Sequence, residues 1–384
     1  MTSSTSTKIS FTSATSDLLK KLQVVAGAIK YGSTLPILDN FLFALKNGNL
    51  ELSATDLETS VSTALPVSAQ QDGGIAMPAK MLLEILKSLP EQPLTFDIDT
   101  ENNTIEIISN NGKYKLAGEP ADDFPIIPQA SEDIKTISLP ASILARVITQ
   151  SIFAVSNDEL RPSMTGVYTK LDAEGLTFVA TDAQKLVKLL RTDQTSATDE
   201  EKQDFIIPKK ALSLLKNALP SDDTPISLSF DQSNAFFSFA NTQLVCRLID
   251  ANFPNYEAVI PIDNPNAITI NRKDFQNSLK RIAIFANKTT FQAMLDISED
   301  NVTISAQDID YASEAKEVLS CQFEGEPMKI AFNARFLIEM LNVITTDDIR
   351  FELSQPSKAG IMLPAIQHDD ERVIMLVMPI MINV

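Results

Sequence analysis

Thr55-Asp56, Thr181-Asp182 and Gln307-Asp308 are three copies of one landmark, because each dipeptide closes a stretch of alternating apolar residues. Successive copies lie 126 residues apart in both cases. A fixed internal period decides the architecture of a chain, and this one is too long for a solenoid but suits a whole domain. The sequence therefore predicts three similar domains, at residues 1–128, 129–260 and 261–384.

The same order of predicted elements surrounds each landmark. An amphipathic helix comes first (residues 18–29, 143–155 and 275–286), and a strand pair that ends at the landmark follows (41–55, 167–181 and 293–307). A second helix then opens with a similar phrase in each copy: Met77-Pro78-Ala79-Lys80, Ile207-Pro208-Lys209-Lys210 and Phe332-Asn333-Ala334-Arg335. We therefore predict an α+β fold in which each domain has two helices packed on antiparallel sheets.

Composition indicates an ordinary globular protein, since 44% of the 384 residues are hydrophobic and 21% are charged. The two cysteines, Cys246 and Cys321, lie in different repeats and are predicted to be buried thiols in a reducing compartment. The Ser/Thr-rich start lacks the apolar core of a secretory signal. The longest apolar stretch, Ile374–Val384, is interrupted by Pro379 and too short to span a bilayer. We expect a cytoplasmic protein with no membrane partner.

The net charge of −18 argues against a nucleic-acid partner, but the charge is unevenly distributed. The six predicted helix windows (17–30, 79–89, 140–156, 208–219, 272–288 and 333–344) hold 15 of the 32 Lys and Arg residues and only 4 of the 50 Asp and Glu residues. Solvated helices favour Lys and Arg, yet Glu is an equally good helix former and is nearly missing. A surface that faces phosphates explains both the enrichment and the depletion.

The sequence contains no base-reading motif, so any DNA contact would be to the backbone and independent of base sequence. The helix cations expected to face duplex DNA are Lys20, Lys21, Lys30, Lys80, Lys87, Arg146, Lys209, Lys210, Lys216, Lys280 and Arg281.

No constellation of residues predicts catalysis, a metal or a cofactor. His368 is the only histidine and lies in a polar stretch between two predicted strands, where a solvated loop residue is expected. Neither of the glycine-rich nucleotide-binding motifs occurs. Asp56, Asp182 and Asp308 could act as acids or metal ligands, but an aspartate that follows a strand is more typical of a turn whose backbone N–H groups it caps.

The end of the chain, Val373–Ile382, has hardly any polar residue. A buried final strand accounts for residues 373–377, and the strand is expected to stop before Pro379, which cannot donate to a ladder. Met378, Ile380 and Met381 would then lie near the surface, where Met-rich apolar groups suit varied peptide ligands. A tail folded back onto the core is the alternative.

Several motifs together resemble one known family. They are Leu35-Pro36-Ile37-Leu38-Asp39-Asn40, Ala54-Thr55-Asp56-Leu57-Glu58, Ala121-Asp122-Asp123-Phe124-Pro125, Val179-Ala180-Thr181-Asp182, Asn252-Phe253-Pro254-Asn255-Tyr256, Ala331-Phe332-Asn333 and Val377-Met378-Pro379-Ile380. With the repeats and the basic helices, the chain resembles the bacterial DNA polymerase III β subunit family, the sliding clamps, over essentially its whole length.

The resemblance implies a head-to-tail homodimeric ring of six similar domains, of which one chain forms half. Helices would line a hole that encircles DNA, and sheets would form the outer face. A non-catalytic processivity factor of replication follows, with the polymerase III alpha subunit, the clamp loader and other clamp-motif proteins as partners. The resemblance also suggests that Tyr114 and Leu116 of one subunit meet Ile284 and Phe285 of the other. The competing hypothesis is a peptide-docking scaffold that does not bind DNA; a DNA-processing enzyme lacks a catalytic constellation.

The family's peptide pocket can be transferred position by position. It would comprise Met164, Thr181, Ala183, Gln184, Lys185, Leu186, Pro254, Val259, Phe291, Asn333, Phe336, Val377, Met378, Pro379, Ile380 and Met381. Family members often have Gly-His-Arg where Ala183-Gln184-Lys185 stands, and Lys185 keeps the charge without the planar fork of arginine. An arginine usual in the loop before Leu35 is replaced by Gly32, which leaves Lys30 or Tyr31 to take its place.

Overall fold

The structure is a computed structural model that describes residues 8–69, 71–131, 134–195 and 203–381. Residues 1–7 of the Ser/Thr-rich start and residues 382–384 of the apolar tail, on which predictions were made above, lie outside the described residues.

The six predicted helices are all present. Their bounds are α1 Thr15–Ala26, α2 Ala79–Ser88, α3 Ala141–Ile152, α4 Lys209–Ala218, α5 Arg272–Ile282 and α6 Ala334–Val343. The first helix of each repeat lies a few residues before its predicted position. In α1 the reason is visible, because the backbone N–H and the hydroxyl of Thr15 both donate to the Gln92 carbonyl, at 3.0 and 2.9 Å, and so fix the helix start.

Contacts divide the chain into two compact units, one formed by residues up to Leu144 with Lys210–Leu248, the other by Ala145–Lys209 with residues from Ile249 onward. The strands of unit 1 are β1 Lys8–Ala14, β2 Asn40–Lys46, β3 Asn49–Thr55, β4 Thr59–Pro66, β5 Ser68–Ala69, β6 Gly73–Pro78, β7 Pro93–Asp99, β8 Thr104–Ile108, β9 Lys113–Ala117, β10 Glu119–Pro120, β11 Thr136–Pro140, β16 Pro225–Phe230, β17 Asn234–Phe239 and β18 Thr242–Arg247. They form two antiparallel sheets, β5-β1-β7-β8-β9 and β10-β6-β2-β3-β4-β18-β17-β16-β11.

Unit 2 also contains two antiparallel sheets. Its strands are β12 Gly166–Leu171, β13 Leu176–Thr181, β14 Lys185–Arg191, β15 Gln203–Pro208, β19 Asn266–Asn271, β20 Gln292–Ser298, β21 Asn301–Asp308, β22 Ser313–Ser320, β23 Gln322–Glu324, β24 Met328–Asn333, β25 Asp348–Leu353, β26 Gly360–Pro364 and β27 Glu371–Val377. The sheet orders are β15-β12-β13-β14-β27-β26-β25-β19-β23 and β22-β21-β20-β24.

Neighbouring repeats share the two nine-stranded sheets. In unit 1 strand β4 of the first repeat pairs with β18 of the second, and in unit 2 strand β14 of the second repeat pairs with β27 of the third. The strands of the central repeat are thereby divided between the two units, with β12–β15 in unit 2. The predicted α+β architecture, with paired helices and antiparallel sheets, is confirmed, although the compact units cut through the central repeat.

Apolar side chains from the helices and sheets fill the cores. Phe11 and Phe96 of the first sheet stack with ring centroids 4.7 Å apart. In unit 2 the side chains of Phe275, Leu279 and Ile282 on one face of α5 are fully buried, and each contributes about 1.5–3 kcal/mol by leaving water. This face packs α5 against α6 and the sheet formed by β20–β22 and β24.

The prediction that both cysteines are buried is confirmed for Cys246 and wrong for Cys321. Cys246 is buried in β18, and this burial raises the pKa of its thiol to about 12. Cys321, by contrast, is only partly buried, because it lies between β22 and the short edge strand β23.

Candidate docking pocket, helix cations and interface edges

The second landmark forms a tight turn between β13 and β14. Asp182 Oδ1 accepts the backbone N–H groups of Gln184 and Lys185, both at 2.9 Å. Thr181 Oγ1 accepts the N–H of Ala183 at 3.1 Å. Ala183 has φ +74°, in the left-handed region where glycine carries no steric penalty. The glycine common in the family at this position therefore has a backbone reason.

The other landmark aspartates cap turns as well. Asp56 Oδ1 accepts the N–H groups of Glu58 and Thr59 at 3.1 and 2.7 Å, and Asp308 Oδ1 accepts that of Asp310 at 3.1 Å. The prediction that these three aspartates are structural is confirmed.

Lys185, the cation at the predicted pocket, is almost fully buried. Its side chain is 7% exposed, and its Nζ lies 2.8 Å from Asp182 Oδ2 and 3.1 Å from Glu339 Oε2. The same Nζ is 4.4 Å from the centroid of the Phe336 ring, a cation–π distance. Two carboxylates and one ring therefore satisfy this ammonium group inside the protein.

The chain end passes from the landmark turn to β24. The N–H of Met378 donates to the Gln184 carbonyl at 2.8 Å, and the N–H of Ile380 donates to the Ala331 carbonyl at 2.7 Å. Strand β27 ends at Val377, so the predicted stop before Pro379 is confirmed. The Met378 side chain is nevertheless 42% exposed, and Met381 is more exposed still. Both interpretations of the tail hold in part, since its backbone is anchored while its methionines face solvent.

The start of α6 brings three further predicted pocket residues together. Asn333 caps the helix, accepting the N–H of Arg335 on its Oδ1 at 2.9 Å. The Phe291 carbonyl accepts the N–H of Ala334 at 2.8 Å. One turn into the helix, Phe336 lies beneath Lys185. The landmark turn, the tail and the start of α6 thus form one connected wall.

An aromatic cluster fixes the linker that carries Pro254 and Val259. Leu186 and Tyr256 share a buried cluster against which Phe253 packs. The Tyr168 and Phe253 rings stack at 4.8 Å, and burial followed by the nearby carboxylates raises the pKa of the Tyr168 and Tyr256 phenols. Pro254 is half-buried and Val259 is 54% exposed, so this linker presents an apolar side chain to solvent.

The structure does not join every predicted pocket residue to this wall. Met164 is half-buried at the end of a short 3-10 turn, and its carbonyl accepts the N–H of Ser156 at 2.9 Å. Val259 makes its backbone bond to Tyr256. Sequence reasoning missed Glu339, although its spacing of three residues from Phe336 places both side chains on one face of α6.

The predicted phosphate-facing cations fall into two groups. Exposed lysines without an ion pair to any described residue are Lys20, Lys30, Lys80, Lys87, Lys216 and Lys280. Others bond within the protein: Lys21 to Thr63 Oγ1 at 3.3 Å, Lys209 to Asn157 Oδ1 at 2.9 Å, Lys210 to Asp56, and Arg281 to both carboxylate oxygens of Glu317 at 2.6 Å.

Arg146 forms an ion pair within the protein. Its guanidinium lies 2.8 Å from the carboxylate of Glu371, which is itself buried and also lies 3.2 Å from Arg191. The Arg146 guanidinium therefore already has a carboxylate partner, unlike the exposed lysines, and its contact with DNA stays a prediction.

Tyr31 does not supply a positive charge in the loop where the resemblance leads us to expect an arginine. This side chain is half-exposed, and its pKa is raised by burial and by the carboxylates of Asp39 and Glu84. The N–H of Gly32 donates to Asp39 at 3.4 Å. Lys30 is the exposed cation that remains there.

The predicted interface residues differ in exposure. Ile284 and Phe285, which follow α5, are 65% and 38% exposed although both are apolar. Tyr114 is half-buried on β9. Leu116 is only 5% exposed, because it lies opposite Ile105 in the core of its own sheet. Its contact with a second subunit stays a prediction.

Three observations bear on other functions. No helix among the described residues is long and apolar enough to cross a membrane. No group of three or more His, Cys, Asp or Glu side chains in the described ranges is arranged to hold a metal ion. His368 is exposed in the loop between β26 and β27, as predicted.

Three family models match the chain, those of the N-terminal, central and C-terminal domains of the DNA polymerase III beta subunit, at residues 9–128, 138–255 and 257–380. A beta sliding clamp of Synechococcus elongatus is 30% identical over 377 residues, covering 96% of this chain and 98% of that protein. A Pseudomonas aeruginosa sliding clamp crystallised with griselimycin is 27% identical, with a TM-score of 0.90 over 97% of this chain and all of that chain. A Bacillus subtilis clamp, 24% identical with a TM-score of 0.91 over 98% of this chain and all of that one, shares the fold.

These findings define a DNA sliding clamp of the replication machinery, a processivity factor that performs no catalysis. The chain belongs to the DNA polymerase III beta subunit family. The three-domain clamp fold expected from the repeats is confirmed by the same matches, and the non-DNA scaffold is not favoured.

Proposed function

We propose that the chain forms half of a homodimeric ring that encircles duplex DNA in the cytoplasm and recruits the polymerase III alpha subunit, the clamp loader and other clamp-motif proteins. The domains of the half-ring run over residues 1–128, 129–260 and 261–384. The exposed apolar pair that follows α5 is the single observation that carries the ring.

Two strand edges support a head-to-tail dimer. Strand β9 pairs only with β8, and β22 pairs only with β21, among the described residues. Open edges tend to associate, and two different edges on one chain make a heterologous contact, which closes into a ring when the rotation permits. Ile284 and Phe285 would be covered at this contact, together with Tyr114 and the exposed Val318 of β22.

DNA contact rests on the exposed lysines of the helices. Their ammonium groups can meet phosphates at any base sequence, so that the ring slides while it remains topologically bound. Arg146 is left out of this set because Glu371 neutralises it.

The tethering experiment compares circular and linear DNA. After loading onto primed circular DNA, the protein should remain bound through gel filtration and be released once the DNA is linearised. An Ile284→Glu/Phe285→Glu variant should be a folded monomer by sedimentation and should not be retained on the circle. Equal retention of the wild type on both DNA forms would contradict the ring.

Peptide docking rests on the connected wall of the landmark turn, tail and α6. Apolar anchors of a ligand would meet Leu186, Val259 and Met378, and desolvated anchors of this kind dominate binding free energies. Griselimycin, with which related clamps have been crystallised, provides a probe. Deletion of residues 378–384 should abolish its binding in calorimetry and leave a folded dimer. Unchanged affinity would reject the pocket.

A further inference from the structure

A second basic side chain borders the proposed pocket, in surroundings unlike those of Lys185. Arg335 is exposed in the first turn of α6, and its guanidinium carbon lies 3.3 Å from the centroid of the Phe291 ring. This distance puts the planar group against the face of the ring. Backbone hydrogen bonds position both residues of the stack. The Ala334 N–H donates to the Phe291 carbonyl, and the Arg335 N–H donates to Asn333 Oδ1.

The guanidinium has no carboxylate partner. Within residues 8–69, 71–131, 134–195 and 203–381, no Asp or Glu forms an ion pair with Arg335. Glu339 lies four residues further along α6, at the spacing that allows an ion pair on a helix surface. Its carboxylate lies instead 3.1 Å from Lys185 Nζ. Lys185 therefore holds the one carboxylate that α6 offers to Arg335.

The two cations consequently differ in what they can offer a ligand. The Lys185 ammonium group is buried and lies against Asp182, Glu339 and the Phe336 ring. Arg335 keeps five N–H donors in a planar fork, and stacking on Phe291 fixes the plane of the fork and leaves its edges in solvent. A fork of this kind binds a carboxylate through two parallel hydrogen bonds.

We propose that Arg335 is a specificity-determining residue of the pocket that binds a carboxylate of the docked peptide, so that this clamp selects ligands with a carboxylate beside their apolar anchors. The inference rests on the proposed docking pocket. The carboxylate comes from an Asp or Glu side chain or from the free C-terminus of the peptide, and both sources offer the same two acceptor oxygens.

Three labelled peptides test the preference by fluorescence anisotropy. All have Leu and Phe anchors and an acetylated N-terminus. The acidic peptide has Asp between the anchors and an amidated C-terminus, the neutral peptide has Asn in place of Asp, and the third is the Asn peptide with a free C-terminal carboxylate. Wild-type protein should bind at least one carboxylate peptide roughly fivefold to tenfold more tightly than the neutral peptide. The peptide that shows the gain identifies the source.

Arg335→Gln should remove this preference and change the affinity for the neutral peptide less than about twofold. Lys273→Ala is the matched control, because Lys273 is an exposed cation in the first turn of α5, the helix that packs against α6, and it should keep the preference. Unchanged melting temperatures would show that both variants fold.

Substitution of Lys185 provides a second test of the role of Arg335. A general effect of positive charge on peptide binding would not reproduce its result. Lys185→Met should release Glu339 to pair with Arg335 and so reduce the preference for the carboxylate peptide to less than about twofold. Lys185→Met/Glu339→Gln should restore the preference, because the competing carboxylate is gone.

The outcomes distinguish a failure of the role proposed for Arg335 from a failure of the proposed docking pocket. Equal binding of all three peptides to the wild type, or a carboxylate preference that persists in Arg335→Gln, would overturn the role of Arg335 while the pocket stands. If Met378→Ser leaves every affinity unchanged, the pocket fails and the inference fails with it.

Discussion

The first and second landmark turns have nearly the same backbone but different surroundings. Leu57 and Ala183 have φ +76° and +74°, and each donates its N–H to the hydroxyl oxygen of the threonine two residues earlier. The carbonyl of the next residue, Glu58 or Gln184, accepts an N–H at 2.8 Å from a residue at or just after the end of a strand of the following repeat. The two turns therefore share the same pattern of hydrogen bonds.

The two turns differ in the segment that follows the residue donating to the turn carbonyl. In unit 1 the donor is Arg247, after which the chain continues into the linker to the third repeat. In unit 2 the donor is Met378, after which the apolar tail crosses to Ala331. The buried Lys185 occupies the position that Thr59 holds in the first turn. A shared backbone thus supports the proposed pocket in one copy only, because Lys185 and the following tail have no counterpart in the first turn.

Removal of the Lys185 ammonium group should have the largest effect on stability. Lys185→Met leaves Asp182 without its cation, while Glu339 is free to pair with Arg335, and the substitution should lower the free energy of unfolding by about 2 kcal/mol. Lys210→Met, which removes the α4 cation paired with Asp56 of the first turn, should cost less than about 1 kcal/mol, since the Lys210 end of this ion pair is exposed. Urea titrations measure both, and equal losses would mean that the two turns do not differ in electrostatics.

Side-chain truncation after the turn should affect ligand binding in one copy only. Met378→Ser should weaken binding of the acidic peptide at least tenfold, about 1.4 kcal/mol, because an apolar anchor is lost. Arg247→Ser, at the matching position of unit 1, should leave the affinity unchanged. A comparable loss in both variants would show that the two copies share the docking function.

Relief of the left-handed backbone should have a small and equal effect in both copies. Ala183→Gly and Leu57→Gly should each raise the free energy of unfolding by roughly 0.5 kcal/mol, since glycine removes strain but adds entropy to the unfolded chain. Denaturation midpoints would detect the change. Opposite signs in the two variants would indicate that the turns are strained differently.

Local patterns in the sequence predicted the helices, the landmark turns and the end of β27, because periodicity, turn chemistry and proline act over a few residues. The same reasoning does not reveal partners that are distant in the chain. Arg146 meets Glu371 across the fold, and Leu116 is buried by a cross-strand neighbour. Glu339 could pair with Lys185 or with Arg335, and the spacing of residues in the sequence does not decide between them. Arg335 has no carboxylate partner because Glu339 lies against Lys185.

The central claim is that one copy of a repeated turn, and only one, became a docking site. The most direct measurement is a calorimetric titration of the wild-type protein with the acidic peptide. The account predicts one peptide bound per chain, with an affinity at least tenfold lower for Met378→Ser. Two sites per chain, or one site of unchanged affinity in Met378→Ser, would contradict it.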